Sequence, residues 1–304
     1  MTTQPTLSNW LSILALGVIW GGTFMVVTIA LRGYGPFTVA GARTTLGAVS
    51  LLILLKATGH KLPMLHGRAL GLMVAIGILN TALPFSLLSW GQQYVPSAFA
   101  GISMAALPLF VLPLAHVFSD EPLSSRKAVG VLLGFAGATV LIGPGVLRIG
   151  SGLEPLGQIA CLLAAFSYAV SSILTRNFPP MDPLALATWA LIIGSVCLTP
   201  VALALEGVPK WAGAEAGFAI VFLGLLPTAL AALLRVTVIR TAGSVFMTLV
   251  NYQVPLWSMA FGAFVLGEVL TLRFFAALAL TLLGLAISQW SSLKKLAQRK
   301  TPIE

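Results

Sequence analysis

Long runs of apolar residues dominate this chain, and charged residues are largely confined to the short intervals between them. Each run is roughly twenty residues long, enough for a helix rising 1.5 Å per residue to cross about 30 Å of hydrocarbon. Spanning β-strands would alternate apolar and polar residues, and these runs do not. The pattern predicts an all-α membrane protein with ten transmembrane helices, over residues 10–31, 37–55, 69–90, 96–118, 127–146, 153–175, 183–205, 213–234, 243–266 and 272–293.

The composition supports the same class. The chain has 304 residues, of which 58% are hydrophobic and 8% are charged, whereas soluble proteins average about 25% charged residues. Residues 1–9 contain no Lys or Arg, so we expect no cleavable signal and insertion through the first helix. Cys161 and Cys197 fall inside spans without the spacing of a metal site or a disulfide, and we interpret them as packing residues.

The basic residues are distributed unevenly between the predicted loops. With the amino terminus inside, twelve of the 17 Lys and Arg residues fall on the cytoplasmic side, Arg235 and Arg240 among them, and four fall outside. This bias predicts cytoplasmic termini and a multi-pass protein of the bacterial inner membrane. The net charge of +9 is therefore interpreted as a determinant of topology and not as a nucleic-acid-binding surface.

The second half of the chain repeats the first at a constant offset of 147 residues. The matching pairs include Pro36 and Pro183, Pro108 and Pro255, Glu121 and Glu268, and Arg126 and Arg273. Each unit holds five predicted spans, and because five is odd the second unit enters the membrane in the opposite sense. We expect two inverted five-helix repeats, residues 10–146 and 153–293, related by a pseudo-two-fold axis in the membrane plane. Such repeats typically provide alternating access to a central site.

Several short motifs resemble a known family. Trp20-Gly21-Gly22-Thr23-Phe24, with Pro36 and Arg43 after it, is similar to the opening of the EamA domain of the drug/metabolite transporter superfamily. Further similar motifs are Tyr94-Val95-Pro96-Ser97-Ala98, Asp120-Glu121-Pro122-Leu123 and Gly267-Glu268-Val269-Leu270. The resemblance spans residues 10 to 293 and implies ten helices in two inverted repeats. It also implies secondary transport, usually export, of small metabolites.

Polar residues and prolines within the spans predict the position of a cavity. Proline frees a backbone carbonyl and kinks a helix, which is tolerated best beside a cavity. The polar residues are Asn80, Thr81, Ser103, Thr228, Asn251 and Gln253, near Pro84, Pro108, Pro227 and Pro255. The flanking large residues are Trp20, Phe24, Phe85, Met104, Phe166, Tyr168, Trp189 and Tyr252. We expect a cavity between the third, fourth, eighth and ninth spans, although each side chain alone could serve helix packing instead.

Arg43 is the only charge well inside a predicted span. A charged residue at this depth usually faces a cavity or pairs with another group. Arg43 could extend to the outer headgroups, tie helices together through backbone carbonyls, or attract a substrate carboxylate. His116, four residues before Asp120, is a second candidate, as a proton carrier or as a structural residue.

Two further sets of residues have structural interpretations with a functional alternative. Glu121 and Glu268 lie at span ends, where they either hold the bundle electrostatically or form gating salt bridges. Gly130 and Gly134 in the fifth span, and Gly284 in the tenth, create faces for close helix packing, within the monomer or in a homodimer.

The motifs that the sequence lacks argue against ATP-driven transport and against proton antiport through a carboxylate within a span. The chain has no GxxxxGK[ST] loop for ATP. No acid lies deep in a span, and the stretch Gly17-Val18-Ile19 lacks the acid that small multidrug efflux proteins carry there. We therefore expect no cofactor and no enzymatic activity, but downhill export or exchange of amino acids or similar zwitterions. Export of neutral drugs or nucleosides, and a non-transporting receptor or scaffold, are the alternatives.

Overall fold

The computed structural model describes residues 5–118, 124–143, 152–242, 244–290 and 294, without the side chains at positions 233, 236, 240, 244 and 245. Every regular element within these ranges is helical. The motif Asp120-Glu121-Pro122-Leu123 lies outside the described residues. The role of Glu121 and the pairing of His116 with Asp120 therefore stay predictions.

The helices follow one another with short connections. The first half of the chain forms α1 (Leu7–Ala30), α2 (Pro36–Ala57), α3 (Gly67–Gly77), α4 (Leu83–Gly91), α5 (Ser97–Met104), α6 (Leu107–Phe118) and α7 (Ser125–Ile142). The second half forms α8 (Glu154–Arg176), α9 (Pro183–Glu206), α10 (Ala214–Gly224), α11 (Ala231–Ala242), α12 (Ser244–Met247), α13 (Val250–Leu266) and α14 (Leu272–Ser288). Two π-helical segments, π1 (Ile78–Ala82) and π2 (Leu225–Leu230), join α3 to α4 and α10 to α11.

Seven helical stretches are long and apolar enough to cross a membrane. They are Leu7–Ala30, Pro36–Ala57, Gly67–Gly91, Ser97–Phe118, Ser125–Ile142, Glu154–Arg176 and Pro183–Glu206. Ala214–Leu230 and Leu272–Ser288 are shorter apolar helices. Because lipid offers no hydrogen bonds to the backbone, helices of this length and composition are the form in which such segments are stable in a bilayer.

The two π segments occupy equivalent positions in the two halves. Under the 147-residue offset, Ile78 corresponds to Leu225, the first residue of π2. A proline lies close to each segment: Pro227 is inside π2, and Pro84 follows π1 by two residues. Since proline has no backbone N–H to donate, the regular α-helical ladder is broken there. The helix distortion that the sequence predicts near these prolines is therefore a widened, π-helical turn in each half of the chain.

Glycine contacts hold helices of the two halves together at backbone distance. A Cβ atom on Gly130 of α7 would lie 2.5 Å from the carbonyl oxygen of Gly284 of α14, and one on Gly284 would lie 2.5 Å from the Gly130 oxygen. A Cβ on Gly137 would similarly meet the hydroxyl of Thr281 at 2.5 Å. The small-residue faces predicted from the sequence thus pack against each other within the monomer.

One end of the bundle, here called the Glu206 end, is joined by polar contacts between the halves. The Glu206 carboxylate accepts hydrogen bonds from the backbone N–H of Phe37 at 2.9 Å and of Thr38 at 2.7 Å, at the start of α2. Arg32 and Glu215 form an exposed ion pair at 2.5 Å. These carboxylates therefore connect the α1–α2 region to α9 and α10.

Glu268 makes a related contact at the same end. Its carboxylate accepts from the backbone N–H of Ser97 at 2.6 Å and of Ala98 at 3.0 Å, at the start of α5. Among the described residues it forms no salt bridge. An acid at a helix amino terminus is favoured by the helix dipole. This contact is the helix-end electrostatic role expected for Glu268, and not a gating ion pair.

The opposite end, here called the Asp182 end, is also joined by polar contacts between the halves. His60 lies 3.5 Å from the Asp182 carboxylate. The Thr241 hydroxyl donates to the Asn9 side chain at 2.7 Å, which joins the end of α11 to the start of α1. These contacts are made by loop residues and helix termini.

The eighth predicted span, residues 213–234, ends too early. The helix continues through Arg235 to Ala242. A hydropathy window stops at the first charge, whereas the backbone hydrogen-bond ladder stops only where the chain turns. Arg235 and Arg240 therefore belong to α11 and not to the loop to which the sequence assigned them.

Candidate substrate cavity

Arg43 is the central feature of the candidate site. It lies seven residues into α2 from Pro36, about 10 Å along the helix axis. Its Cζ atom lies 4.0 Å from the centroid of the Phe85 ring on α4. The Nε atom is buried and has no hydrogen-bond partner, and Arg43 forms no ion pair with any residue that the structure describes.

The contact with Phe85 only partly compensates the Arg43 charge. A cation over an aromatic ring gains about 0.5–2 kcal/mol, whereas removing an ion from water costs several kcal/mol. Tyr168 of α8 lies within electrostatic range of the guanidinium but carries no negative charge when protonated. The described acids lie at helix ends or in loops: Glu154, Asp182, Glu206, Glu215 and Glu268. The guanidinium therefore has unused capacity to bind an anion.

Two threonines line the π segments next to this position. The Thr81 hydroxyl donates to the carbonyl oxygens of Gly77 at 2.6 Å and of Ala190 at 3.0 Å, which joins π1 to α9. Thr228 donates to the Leu223 carbonyl at 3.1 Å across the widened turn of π2. Both hydroxyls thus satisfy backbone carbonyls, as threonines commonly do between membrane helices.

Trp20 approaches the same region from α1. Its indole N–H donates to the carbonyl of Pro227 at 3.2 Å, so α1 contacts π2 directly. Thr228, the next residue, packs against α2, since a Cβ on Gly47 would lie 2.6 Å from the Thr228 methyl carbon. Arg43 is one helical turn from Gly47. The structure therefore brings α1, α2 and π2 together around Trp20, Thr228 and the turn that carries Arg43.

Asn80 is exposed in the middle of a membrane-crossing helix. It belongs to π1, and its neighbours about one turn away on either side, Ile76 and Pro84, are buried. An amide on a buried face that remains accessible is typical of a residue that lines a cavity. Thr81, the next residue, is only 3% exposed.

Phe24, Ser103 and Met104 lie on the packed side of the bundle. Ser103 is buried and donates to the carbonyl of Phe99 in its own helix. Phe24 is 6% exposed and lies beside Gly101. Met104 is partly buried against the same core cluster. Phe24 and Met104 thus pack against the core, the Ser103 hydrogen bond stays within α5, and the place of all three in the cavity stays a prediction.

The remaining predicted residues make contacts in other directions. Phe166 is exposed and packs edge-on against Phe110 at 5.6 Å. The Trp189 indole donates to the carbonyl of Pro63, in the loop between α2 and α3, at 3.0 Å. The Tyr252 hydroxyl donates to Leu285 of α14 at 3.3 Å. Asn251, beside Tyr252, is half-buried near the start of α13.

Comparison with known families shows the family to which the chain belongs. The model of the EamA-like transporter family matches residues 8–143 and again residues 155–290. Together the two matches cover most of the chain. The chain belongs to the EamA-like transporter family. It is accordingly an integral membrane transporter with two EamA repeats.

EamA relatives in other organisms cover nearly the whole chain. The inner membrane transporter YedA of Escherichia coli (strain K12), described as uncharacterized, is 30% identical over 264 residues, which are 86% of this chain and 83% of YedA. The transporter YoaV of Bacillus subtilis (strain 168), also described as uncharacterized, is 24% identical over 284 residues, 92% of this chain and 96% of YoaV. A protein of Streptantibioticus cattleyicolor described as a probable terminal-alkyne amino-acid exporter is 26% identical over 245 residues, 78% of this chain and 80% of that protein.

A solved structure has the same fold. One crystal structure superposes with a TM-score of 0.65 at 20% identity and covers 94% of this chain and 98% of that chain. The likeness extends over the full bundle.

Sequence reasoning missed one charged residue of this EamA bundle. Arg235 was assigned to a loop, but it lies within α11, seven residues before the helix ends at Ala242. It is exposed, and it forms no hydrogen bond or ion pair with a described residue. The apolar stretch Val236-Thr237-Val238-Ile239 after it is the signal that could have extended the span. Within the described part of the chain, no group of three or more His, Cys, Asp or Glu side chains could hold a metal ion.

Proposed function

We propose that this protein is a secondary transporter that exports small organic metabolites, foremost amino acids, by alternating access and without ATP hydrolysis. The family membership supports transport. The relative described as an amino-acid exporter supports the substrate class. The observation that carries the proposal is the half-buried Arg43, whose Nε atom is buried without a hydrogen-bond partner and whose charge has no acidic partner among the described residues.

The proposed architecture groups the helical segments into ten spans. In this arrangement α3, π1 and α4 form the third span, α5 and α6 the fourth, α10, π2 and α11 the eighth, and α12 and α13 the ninth. Residues 10–146 and 153–293 are then two five-helix repeats of opposite orientation. The equivalent positions of π1 and π2 support this pairing.

The proposed orientation places both termini in the cytoplasm, in a bacterial inner membrane. The excess of Lys and Arg in the corresponding loops supports it. The Glu206 end then faces outward, and the Asp182 end faces the cytoplasm. Since the Glu206 end carries the hydrogen bonds to Phe37, Thr38, Ser97 and Ala98, we interpret this conformation as closed toward the outside.

In the proposed site, Arg43 binds the carboxylate of the substrate. Arginine presents several N–H donors in a planar fork that matches a carboxylate, and such charge-assisted hydrogen bonds are about twice as strong as neutral ones. The Phe85 ring centroid lies 4.0 Å from the guanidinium carbon, and this cation–π contact helps to hold the guanidinium in place. Asn80, Trp20, Thr228, Asn251 and Tyr168 are proposed to line the remaining space, where an amino group and a side chain of the substrate would lie.

Counterflow in proteoliposomes tests this proposal. Liposomes are preloaded with a mixture of unlabelled L-amino acids, and uptake of labelled ones is followed without an imposed proton gradient. We expect uptake by the unmodified protein. Replacing Arg43 with Met should lower uptake about ten- to a hundredfold, because a charge-assisted hydrogen bond contributes about 1.5–3 kcal/mol.

A matched control separates this effect from a general loss of positive charge. Arg32→Gln removes an exposed arginine of the Glu206 end and should leave uptake within about twofold, since exposed ion pairs contribute little. If no amino acid is taken up by the unmodified protein, the amino-acid substrate class is wrong, and neutral drugs or nucleosides become the class to test. Equal uptake by the Arg43→Met and unmodified proteins would remove Arg43 from the site.

A further inference from the structure

Arg235 lies on the face of α11 that packs into the protein. Its neighbours one and two turns away, at i−4, i+3 and i+7, are Ala231, Val238 and Ala242, which are 0%, 0% and 1% exposed. Residues at these spacings share one face of an α-helix. Arg235 therefore lies at the edge of the buried face of the helix, since its other neighbours on this face, Ala232 at i−3 and Ile239 at i+4, are only partly buried.

Arg235 is nevertheless exposed. A side chain at the edge of a buried face is accessible where the space in front of it is open. Thr237, also exposed, lies two residues further along and thus about 200° around the helix from Arg235. Arg235 and Thr237 therefore lie on different sides of α11, and Arg235 is the one beside the buried residues.

An arginine directed into the bundle would bear an uncompensated charge. Arg235 forms no hydrogen bond or ion pair with any residue in the described ranges. Ionisable side chains within membrane helices usually face the bundle interior or a water-filled cavity, where they mark substrate and ion pathways. A low-dielectric wall around such a cavity concentrates the field of the cation and attracts anions.

The position of Arg235 relative to Arg43 suggests the direction of the pathway. Thr228 of π2 packs against Gly47 of α2, which fixes the two helices at this level. Arg43 lies one turn from Gly47, about 6 Å toward the Glu206 end, and Arg235 lies two turns from Thr228, about 10 Å toward the Asp182 end. The two arginines are thus separated by roughly 16 Å along the bundle, on either side of the α2–π2 contact.

We propose that Arg235 forms a second anion-binding site, at the cytoplasmic entrance of the cavity, which binds the carboxylate of the substrate before it reaches Arg43. The inference rests on the proposed transport function and on the cytoplasmic orientation of the Asp182 end. Under the 147-residue offset the equivalent of Arg235 is Leu88, a buried core residue. The entrance site therefore exists only on the cytoplasmic side, which suits capture from the cytoplasm in an exporter.

Thiol labelling tests whether Arg235 faces water inside the bundle. In a background with Cys161→Ala and Cys197→Ala, Arg235→Cys is compared with Thr237→Cys, on the other surface of the same helix. The anionic reagent 2-sulfonatoethyl methanethiosulfonate is added to inside-out vesicles. We expect the Arg235→Cys thiol to react at least about tenfold faster, because a thiol facing hydrocarbon is rarely ionised. Equal or slower reaction than for Thr237→Cys would overturn the inference.

Transport kinetics test whether the charge binds carboxylates. The probe is the L-amino acid with the largest counterflow, compared with its uncharged carboxamide as a competitor. With substrate on the cytoplasmic side, Arg235→Gln should raise KM about tenfold and reduce the preference for the carboxylate over the amide. Arg235→Lys should retain most of this preference. Lys56→Gln, at the exposed end of α2, should change neither quantity.

The outcomes separate this inference from the proposed function. No amino-acid uptake by the unmodified protein would contradict the proposed substrate class, and the labelling experiment would still decide whether Arg235 lines the entrance. The other decisive outcome is uptake that depends on Arg43, with neither KM nor the preference for carboxylates changed by Arg235→Gln. That outcome would overturn the entrance site and leave the proposed function in place.

Discussion

Replacing Gly284 with Ala tests a backbone-to-backbone contact between the two halves of the bundle. The added Cβ would lie 2.5 Å from the Gly130 carbonyl oxygen and 2.7 Å from the Gly134 nitrogen. Both are backbone atoms of α7, so no side chain can rotate away. To restore an ordinary contact of about 3.4 Å, α7 and α14 would have to separate by roughly 0.9 Å along most of their shared face.

The magnitude follows from two opposing effects. Overpacking of a tight interface costs about 1–3 kcal/mol. Alanine is favoured over glycine within a helix by about 1 kcal/mol, which offsets part of that cost. We expect a net destabilisation of about 1–2 kcal/mol, so the unfolding midpoint in detergent should fall.

Gly71 offers a matched control for this substitution. It also lies within a helix, and a Cβ there would have no atom within 4 Å. Gly71→Ala should therefore leave the midpoint unchanged or raise it, while Gly284→Ala lowers it. Thermal unfolding followed by intrinsic fluorescence measures both, and size-exclusion chromatography reports the oligomeric state. Equal midpoints for the two variants would refute the backbone contact, and dissociation of a dimer by Gly284→Ala would place this face between protomers.

Two further substitutions test contacts between the halves. Glu206→Ala removes the acceptor for the Phe37 and Thr38 amides and should lower stability by about 1.5–3 kcal/mol. Glu215→Ala breaks only an exposed ion pair and should cost less than about 1 kcal/mol, so equal losses in thermal unfolding would contradict the role of Glu206. Thr81→Val removes the hydrogen bond to Ala190 of α9 and should cost about 0.6–2 kcal/mol. The Thr139 hydroxyl bonds within its own helix, so Thr139→Val should lower the free energy of unfolding by less in the same assay. A larger loss for Thr139→Val than for Thr81→Val would contradict an interhelical role for Thr81.

Much of the fold could be predicted because its determinants are local. The apolar runs gave the positions of the helices, and the repeated prolines indicated irregular helix in both halves, which the structure resolves as π1 and π2. Glu268 was expected to act at a helix end, and it caps α5. These features depend on residue type and on spacing along the chain, and both can be read directly from the sequence.

The orientation of side chains around each helix could not be predicted in the same way. A helix that is apolar on all sides has no polar face to indicate which side is buried. Nothing in the sequence indicates that Phe166 packs against Phe110 or that the Trp189 indole donates to Pro63, and the place of both residues in the cavity stays a prediction. Arg235 was missed for a related reason, since a charge ends a hydropathy window whether it faces a headgroup, a loop or water inside the bundle.

The stability of the Arg43→Met protein distinguishes the two roles considered for Arg43. If the guanidinium held helices together, its removal would destabilise the fold by about 3–5 kcal/mol, as breaking a buried ion pair does. Among the described residues, the guanidinium lies over the ring of Phe85, and its buried Nε atom has no hydrogen-bond partner. Replacing such a group with an apolar side chain of similar length removes an uncompensated charge, and apolar replacements of buried charges are often neutral or stabilising. We therefore expect an unchanged or higher unfolding midpoint together with the loss of uptake, the combination typical of a residue retained for binding at some cost in stability. A midpoint that falls in proportion to the loss of uptake would identify Arg43 as a structural residue.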